Sequence, residues 1–238
     1  MSSSVVQIHT IGSNAYLVKG KGGNIIVDTC RWKDPFKVLQ SIRKAGLSPA
    51  EISLILLTHV HFDHVAGAAE LKRICKAPVL AHLSEADFLI EGITSLPKGA
   101  NRFSQWLSGI GNKYFPNIGK FPATEADICI DKSFDLTPFG IDGYSLPTPG
   151  HTEGSISVIL NNGEAIIGDC CIYAIEEFVL PPFANDLPLL LESWKILLSL
   201  DCHTFWPGHG KPIPAALLKK SIPLLEERIE KLKSISNR

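Results

Sequence analysis

The sequence predicts an α/β fold, on three observations. Short runs rich in Val and Ile recur along the chain, punctuated by Gly and Asn. Stretches with helical periodicity alternate with them, as layered α/β architectures require. One run, ISLILLT at 52–58, is apolar almost without a break, the pattern of a central strand buried on both faces.

Taken in order, VVQIHTI, AYLV and NIIVD read as neighbouring strands joined by tight turns. A helix follows over 34–45, with Pro35 suited to its first turn. After ISLILLT come a cluster of histidines, a helix over 65–75 and the strand PVLAH. Residues 92–124 differ: they are rich in Gly, Pro and Asn, with Phe103, Trp106, Tyr114, Phe115 and Phe121 scattered among them. They read as a connector packed by its own aromatics or as a lid over a site, which would give Phe103 and Trp106 a part in substrate binding. Strand patterns resume with IDGYSLPTPG, SISVIL and EAIIGD, the last two joined as a hairpin through Asn161, Asn162 and Gly163. A helix over 187–200 and the short strand TFW lead to PGHG. The final helix gathers Leu218, Ile222, Leu225, Ile229 and Leu232 on one face, and Pro223 is expected to kink it or start a new segment. No linker or composition break divides residues 1–238, so a single domain is expected.

Bulk properties narrow the function. The 238 residues are 45% hydrophobic, enough for a sizeable core, and the net charge of −1 comes with scattered Lys and Arg. A nucleic-acid partner would call for a basic patch, so none is expected. No apolar run approaches the roughly 20 residues that span a bilayer, and the N-terminus does not read as a secretory signal, so no membrane partner is expected. The six cysteines form no CxxC pair, and Cys170 and Cys171 are adjacent. Reduced thiols in a cytoplasmic protein are the expectation.

Chemistry concentrates in THVHFDH. His59 and His61, two apart at a strand end, point the same way in extended backbone. Asp63 and His64 sit where the chain turns into the next helix, so their side chains diverge. That geometry favours two adjacent metal sites over one. Imidazole suits Zn and Fe, and a carboxylate adds a hard oxygen. At this chain's own composition an HxHxDH pattern would arise by chance roughly once in two thousand such sequences. Six residues cannot complete two coordination shells. Three loop positions qualify as partners, each after an apolar strand pattern and beside a glycine: His151 in PTPGHTEGS, Asp169 in AIIGDCC and His209 in WPGHG. His9, His82 and His203 match no ligand pattern and read as structural or surface residues.

The ordered set THxHxDH, PGHT, GD and PGHG, preceded by NIIVDTC, resembles the metallo-β-lactamase fold superfamily over nearly the whole chain. The resemblance implies an αβ/βα four-layer sandwich, two mixed sheets with helices on the outer faces and metals at one edge. Carried onto this sequence, it gives His59, His61 and His151 to a first metal, Asp63, His64 and His209 to a second, and Asp169 as the bridge. Asp28 would orient a ligand rather than bind metal, and Asp63 would also orient the nucleophile. The implied cofactors are two divalent ions, zinc first, with iron or manganese as alternatives.

The implied reaction is hydrolysis by metal-activated water of a small substrate that is anionic or gives an anionic product. The motif set looks most like the glyoxalase II side of the superfamily, whose members hydrolyse thioesters. Related lactonases place a tyrosine three residues after the bridging aspartate; here that position is Ile172, with Tyr173 next as a substrate-binding candidate. The rival readings are a mononuclear iron oxygenase like the persulfide dioxygenases and a metal-binding protein without activity.

Overall fold

The computed structural model describes residues 3–10, 12–31, 35–115 and 117–236. Three strands open the chain: β1 (Ser4–His9), β2 (Asn14–Lys19) and β3 (Asn24–Val27). Helix α1 (Pro35–Lys44) precedes β4 (Ile52–Leu56); Asp34, the expected helix start, lies outside the described residues. Then come α2 (Phe62–Val65), α3 (Ala68–Cys75), β5 (Val79–His82), α4 (Ala86–Glu91), α5 (Arg102–Tyr114) and β6 (Ile128–Ile130). The second half holds β7 (Phe134–Asp135), β8 (Gly143–Pro147), β9 (Ile156–Leu160) and β10 (Glu164–Gly168). It closes with α6 (Leu187–Ser199), β11 (Thr204–Pro207), β12 (Ile213–Pro214) and α7 (Ala215–Ser236).

The strands form two six-stranded sheets, ordered β1-β2-β3-β4-β5-β6 and β12-β11-β10-β9-β8-β7. Both are mixed. In the first, β1–β3 pair antiparallel and β3–β6 parallel. In the second, only β10 and β11 run parallel.

Alternation along each strand builds the layers. Tyr16, Val18, Ile25, Val27, Leu54 and Leu56 face inward and meet Ile156, Val158, Leu160 and Ile166 of the other sheet. Their neighbours Leu17, Ile26 and Ile55 face outward onto Val38 and Ile42 of α1 and Leu71 of α3. On the opposite side Ala165, Ile167 and Phe205 pack against Trp194 and Leu197 of α6 and Leu218 and Leu225 of α7. Strands buried on both faces have no polar side to show, which is why their sequences run apolar without alternation. The expected four-layer αβ/βα sandwich is what forms.

Two expectations need correction. The helix expected over 65–75 breaks into α2 and α3 at Ala66 and Gly67. Both the N–H (2.7 Å) and the hydroxyl (2.9 Å) of Thr29 donate to the carbonyl of His64, drawing it out of the helical ladder. Gly67 lies so close to the Thr29 carbonyl that a side chain there would collide with it. The second concerns α7, which continues through Pro223 as one helix, so the proline does not start a new segment. Leu218, Leu225 and Ile229 hold it against the sheet on both sides of the proline. Among the described residues no helix is long and apolar enough to cross a membrane. None of the six cysteines is in a disulfide.

Candidate metal centre

The loops that follow β4, β8, β10 and β11 converge at one edge of the sandwich. Main-chain bonds tie the sheets together there: Ile156 N–H donates to Thr58 O (2.8 Å) and Asn14 N–H to Gly208 O (2.7 Å). The Tyr16 hydroxyl and the Asn14 amide both donate to Pro207 O. Side chains carried by these loops are therefore held by both sheets. Gly150, at φ 132°, turns the chain just before His151, a conformation side-chain-bearing residues rarely adopt. Gly208 admits its neighbours closely, since a Cβ there would strike Asp169 Oδ1 and the His64 ring.

All seven predicted ligands meet at this edge. His59, His61 and His151 form one group whose donor atoms lie within 4.8 Å of one another; Asp63, His64 and His209 form a second. The first three rings stand edge-on to each other with centroids 4.7–4.8 Å apart. Asp169 reaches both groups: Oδ2 is 3.7 Å from His151 Nε2 and 3.2 Å from His209 Nε2, and Oδ1 is 3.4 Å from His64 Nε2. His59 Nε2 and Asp169 Oδ1 are buried without a hydrogen-bond partner.

The far side of each ring explains the orientation of the near side. Asp28 accepts from Thr58 N–H, from the Thr58 hydroxyl and from His64 Nδ1, each at 2.8 Å. The Thr58 hydroxyl, its proton given to Asp28, accepts in turn from His59 Nδ1 at 3.1 Å. One buried carboxylate thus keeps a proton on Nδ1 of a histidine in each group and turns both Nε2 atoms toward the cluster. His151 Nδ1 donates to Phe183 O at 3.0 Å, with the same result.

Electrostatics divides the cluster. Burial, reinforced by neighbouring imidazoles, holds His59 and His61 well below the ordinary histidine value, and burial also lowers His151. These three are therefore neutral imidazoles. Burial acts the same way on His64, but Asp169, Asp28 and Asp63 outweigh it and raise its pKa to about 10. Burial works against Asp169 ionising, yet His209 and His64 hold its carboxyl well below the usual range.

Other expected contributors lie elsewhere. A cavity of about 350 Å3 opens beside the cluster, walled by Leu96, Pro97, Ile172, Pro182 and Phe183 and bordered by His61, Asp63, His151, Asp169 and His209. Phe103 and Trp106 are not in its wall; they point to solvent, 70% and 61% exposed. Tyr173 does not line it either, because the chain turns Ile172 inward while Tyr173 N–H donates to His209 O at 2.9 Å. His82 bonds Ser84, and His203 bonds Thr204 and Asn162. Sequence reasoning missed Glu85, a buried carboxylate that accepts from Val60 N–H and from Gly154 N–H, clasping the two histidine loops together. A larger groove of about 630 Å3 runs between α6 and α7, but none of the seven cluster residues lines it.

A sequence model of the metallo-beta-lactamase superfamily matches residues 10–209. The chain belongs to that superfamily. It is 30% identical over 208 residues to the probable metallo-hydrolase YqgX of Bacillus subtilis, covering 84% of this chain and 86% of that one. The crystal structure of BJP-1, a subclass B3 metallo-beta-lactamase of Bradyrhizobium japonicum, superposes with a TM-score of 0.70 at 20% identity, over 99% of this chain and 93% of the other. TTHA1623, solved in a di-iron-bound form, superposes with a TM-score of 0.67 at 23% identity, over 93% of this chain and 99% of the other. The superfamily match and the metallo-hydrolase relative support a metal-dependent hydrolase that uses divalent ions. The structural likenesses carry the fold.

Proposed function

We propose that the chain opens a carbonyl substrate (a thioester, ester or lactone) by attack of water at a centre of two divalent cations, with zinc the first metal to test. One observation carries the reading. Two groups of donors face each other across Asp169, and neither Asp169 Oδ1 nor His59 Nε2, both buried, has a hydrogen bond. Such lone pairs are costly to bury unless a cation meets them. The donor set, five imidazoles and two carboxylates, suits zinc, iron or manganese. His59, His61 and His151 would hold one ion, Asp63, His64 and His209 the other, and Asp169 both. When bound, the ions would supply Lewis acidity, polarising an acyl oxygen and lowering the pKa of the attacking water toward about 7.

The chain supplies the rest. Asp63 borders the cavity with Oδ2 3.5 Å from His209 Nε2, placed to orient the attacking water and to take up its proton. Leu96, Ile172, Pro182 and Phe183 exclude bulk water and pack against the acyl group. Among the described residues no Lys or Arg lines this cavity. It therefore favours a neutral acyl group, and the anionic species is the carboxylate product. Motif likeness to glyoxalase II puts thioesters first. Six cysteines without a disulfide, two of them adjacent and buried beside Asp169, fit a cytoplasmic setting.

The test is a panel of one thioester, one ester, one lactone and one β-lactam, assayed with protein purified without chelator. The reading expects turnover of at least one of the first three, faster than that of the lactam, and its loss on metal removal. Turnover of none of them in metal-loaded protein would refute it.

A further inference from the structure

Helix α5 is built inside out. Its buried positions are Ser104, Ser108 and Gly111, while Phe103, Trp106, Leu107 and Tyr114 are exposed, followed by Phe115 and Ile118. Phe103, Trp106, Leu107, Ile110 and Tyr114 recur at i, i+3, i+4, i+7 and i+11, a single stripe at about 100° per residue. In a helix of a globular domain that stripe normally faces the core. Here the inner side is occupied with another task. Ser108 Oγ donates to Pro97 O at 2.7 Å, and Asn112 clasps the Leu96 main chain, accepting from its N–H at 2.8 Å and donating to its carbonyl at 3.0 Å. Leu96 and Pro97 line the cavity at the metal centre. The helix thus grips the cavity wall with its small residues and turns its large ones to solvent. Exposed apolar patches of this kind mark interaction surfaces.

Charge identifies the partner. Residues 92–124 contain Lys98, Arg102, Lys113 and Lys120 and no Asp or Glu, in a chain whose net charge is −1. All four are exposed. Arg102 and Lys113 fall along one edge of the apolar stripe, with Lys113 Nζ 5.2 Å from the Tyr114 ring centroid. Acidic groups begin only at the borders, with Glu91 and Glu125. A second copy is disfavoured as the occupant, because pairing the two stripes would bring the same cations face to face. An anionic surface with an apolar interior answers both features, and aromatic side chains edged by Lys and Arg are what such an interface takes up.

We infer that α5 is an interfacial helix that lays Phe103, Trp106, Leu107 and Tyr114 into an anionic phospholipid surface, with Arg102 and Lys113 among the head groups. The expectation of no membrane partner rested on the lack of a spanning segment, and a helix lying in the interface needs none. The segment at 95–97, held by the same helix, connects this surface to the cavity wall. Vesicle binding is read without turnover, so the inference stands or falls apart from the hydrolase reading.

The test is sedimentation of the full-length, metal-loaded protein with vesicles of phosphatidylcholine alone and of phosphatidylcholine with an equal amount of phosphatidylserine. Binding is expected to the second and not the first, to weaken as salt rises, and to fall about tenfold or more in Trp106→Ser and Lys113→Glu. Trp106 emission should shift to the blue on binding, with Trp106→Phe subtracting the other tryptophans. Melting temperature and hydrolysis of a soluble ester should not change in these variants. Failure to sediment with either vesicle, or binding indifferent to both substitutions, would overturn the inference. So would a dimer in solution that Trp106→Ser dissociates, since a second copy would then cover the stripe.

Discussion

Replacing Asp28 by Asn should uncouple both histidine groups from metal without disturbing the backbone. Asp28 sits at φ 59°, a left-handed conformation that Asn accepts as readily as Asp, and the two side chains have nearly the same shape. The chemistry differs. The carboxylate accepts three hydrogen bonds of 2.8 Å, from Thr58 N–H, the Thr58 hydroxyl and His64 Nδ1. An amide has one acceptor atom. If its oxygen stays on Thr58 N–H, its NH2 faces the hydroxyl and His64 Nδ1. Thr58 must then accept and donate onward to His59, and both histidines move their proton to Nε2, the atom that faces the cluster. If the amide is flipped, Thr58 N–H is left opposing another donor. Either arrangement forfeits a charge-assisted bond or strands a buried donor, each about 1.5–3 kcal/mol. That corresponds to a loss of about 10- to 100-fold in metal affinity, the range usual for such supporting groups. Competition titration of metal-free protein against a chromophoric chelator measures it. Wild-type affinity at both sites in Asp28→Asn would refute the tautomer argument.

Three further outcomes follow. Asp169→Asn should cost about two orders of magnitude or more in kcat and lose one of two metals, with the metal-free protein still folded; a variant retaining both metals and activity would remove Asp169 from its bridging role. Leu96→Ala should raise KM for apolar acyl substrates roughly tenfold with a smaller change in kcat, whereas Trp106→Ala should leave soluble-substrate kinetics alone; steady-state rates on a graded acyl series decide. His64, raised from 6.5 to about 10, stabilises the metal-free fold fully below about pH 6.5, and that contribution is lost as pH rises through about 10. Metal must displace its proton, so loading at pH 8 should release at least one proton per chain, read by calorimetry in buffers of different ionisation enthalpy; no release would contradict the protonated state.

The parts of this molecule legible from sequence are those where local pattern and tertiary role agree. Strands β2, β3, β4, β9 and β10 are buried on both faces and show as unbroken apolar runs. The candidate ligands stood out because His and Asp crowd THVHFDH and recur beside glycines after three later strands. What was not legible depends on partners distant in the chain. Thr29 breaks the helix at Ala66 and Gly67 by capturing the His64 carbonyl, and nothing local announces it. Strands β6, β7 and β12 are too short to show a period. Glu85 clasps Val60 and Gly154 from a stretch with no motif. Composition singled out the aromatics of 92–124 but not their direction, because it is Ser104, Ser108 and Gly111 that pack inward.

The central claim is that two metal ions act together at this centre, and titration of metal-free protein with zinc, following bound metal and hydrolysis in the same sample, tests it most directly. Activity should climb until close to two ions per chain are bound and then stay level. Full activity with one tightly held iron per chain, an unfilled second site and oxygen consumed during turnover would contradict the claim and identify an oxygenase instead.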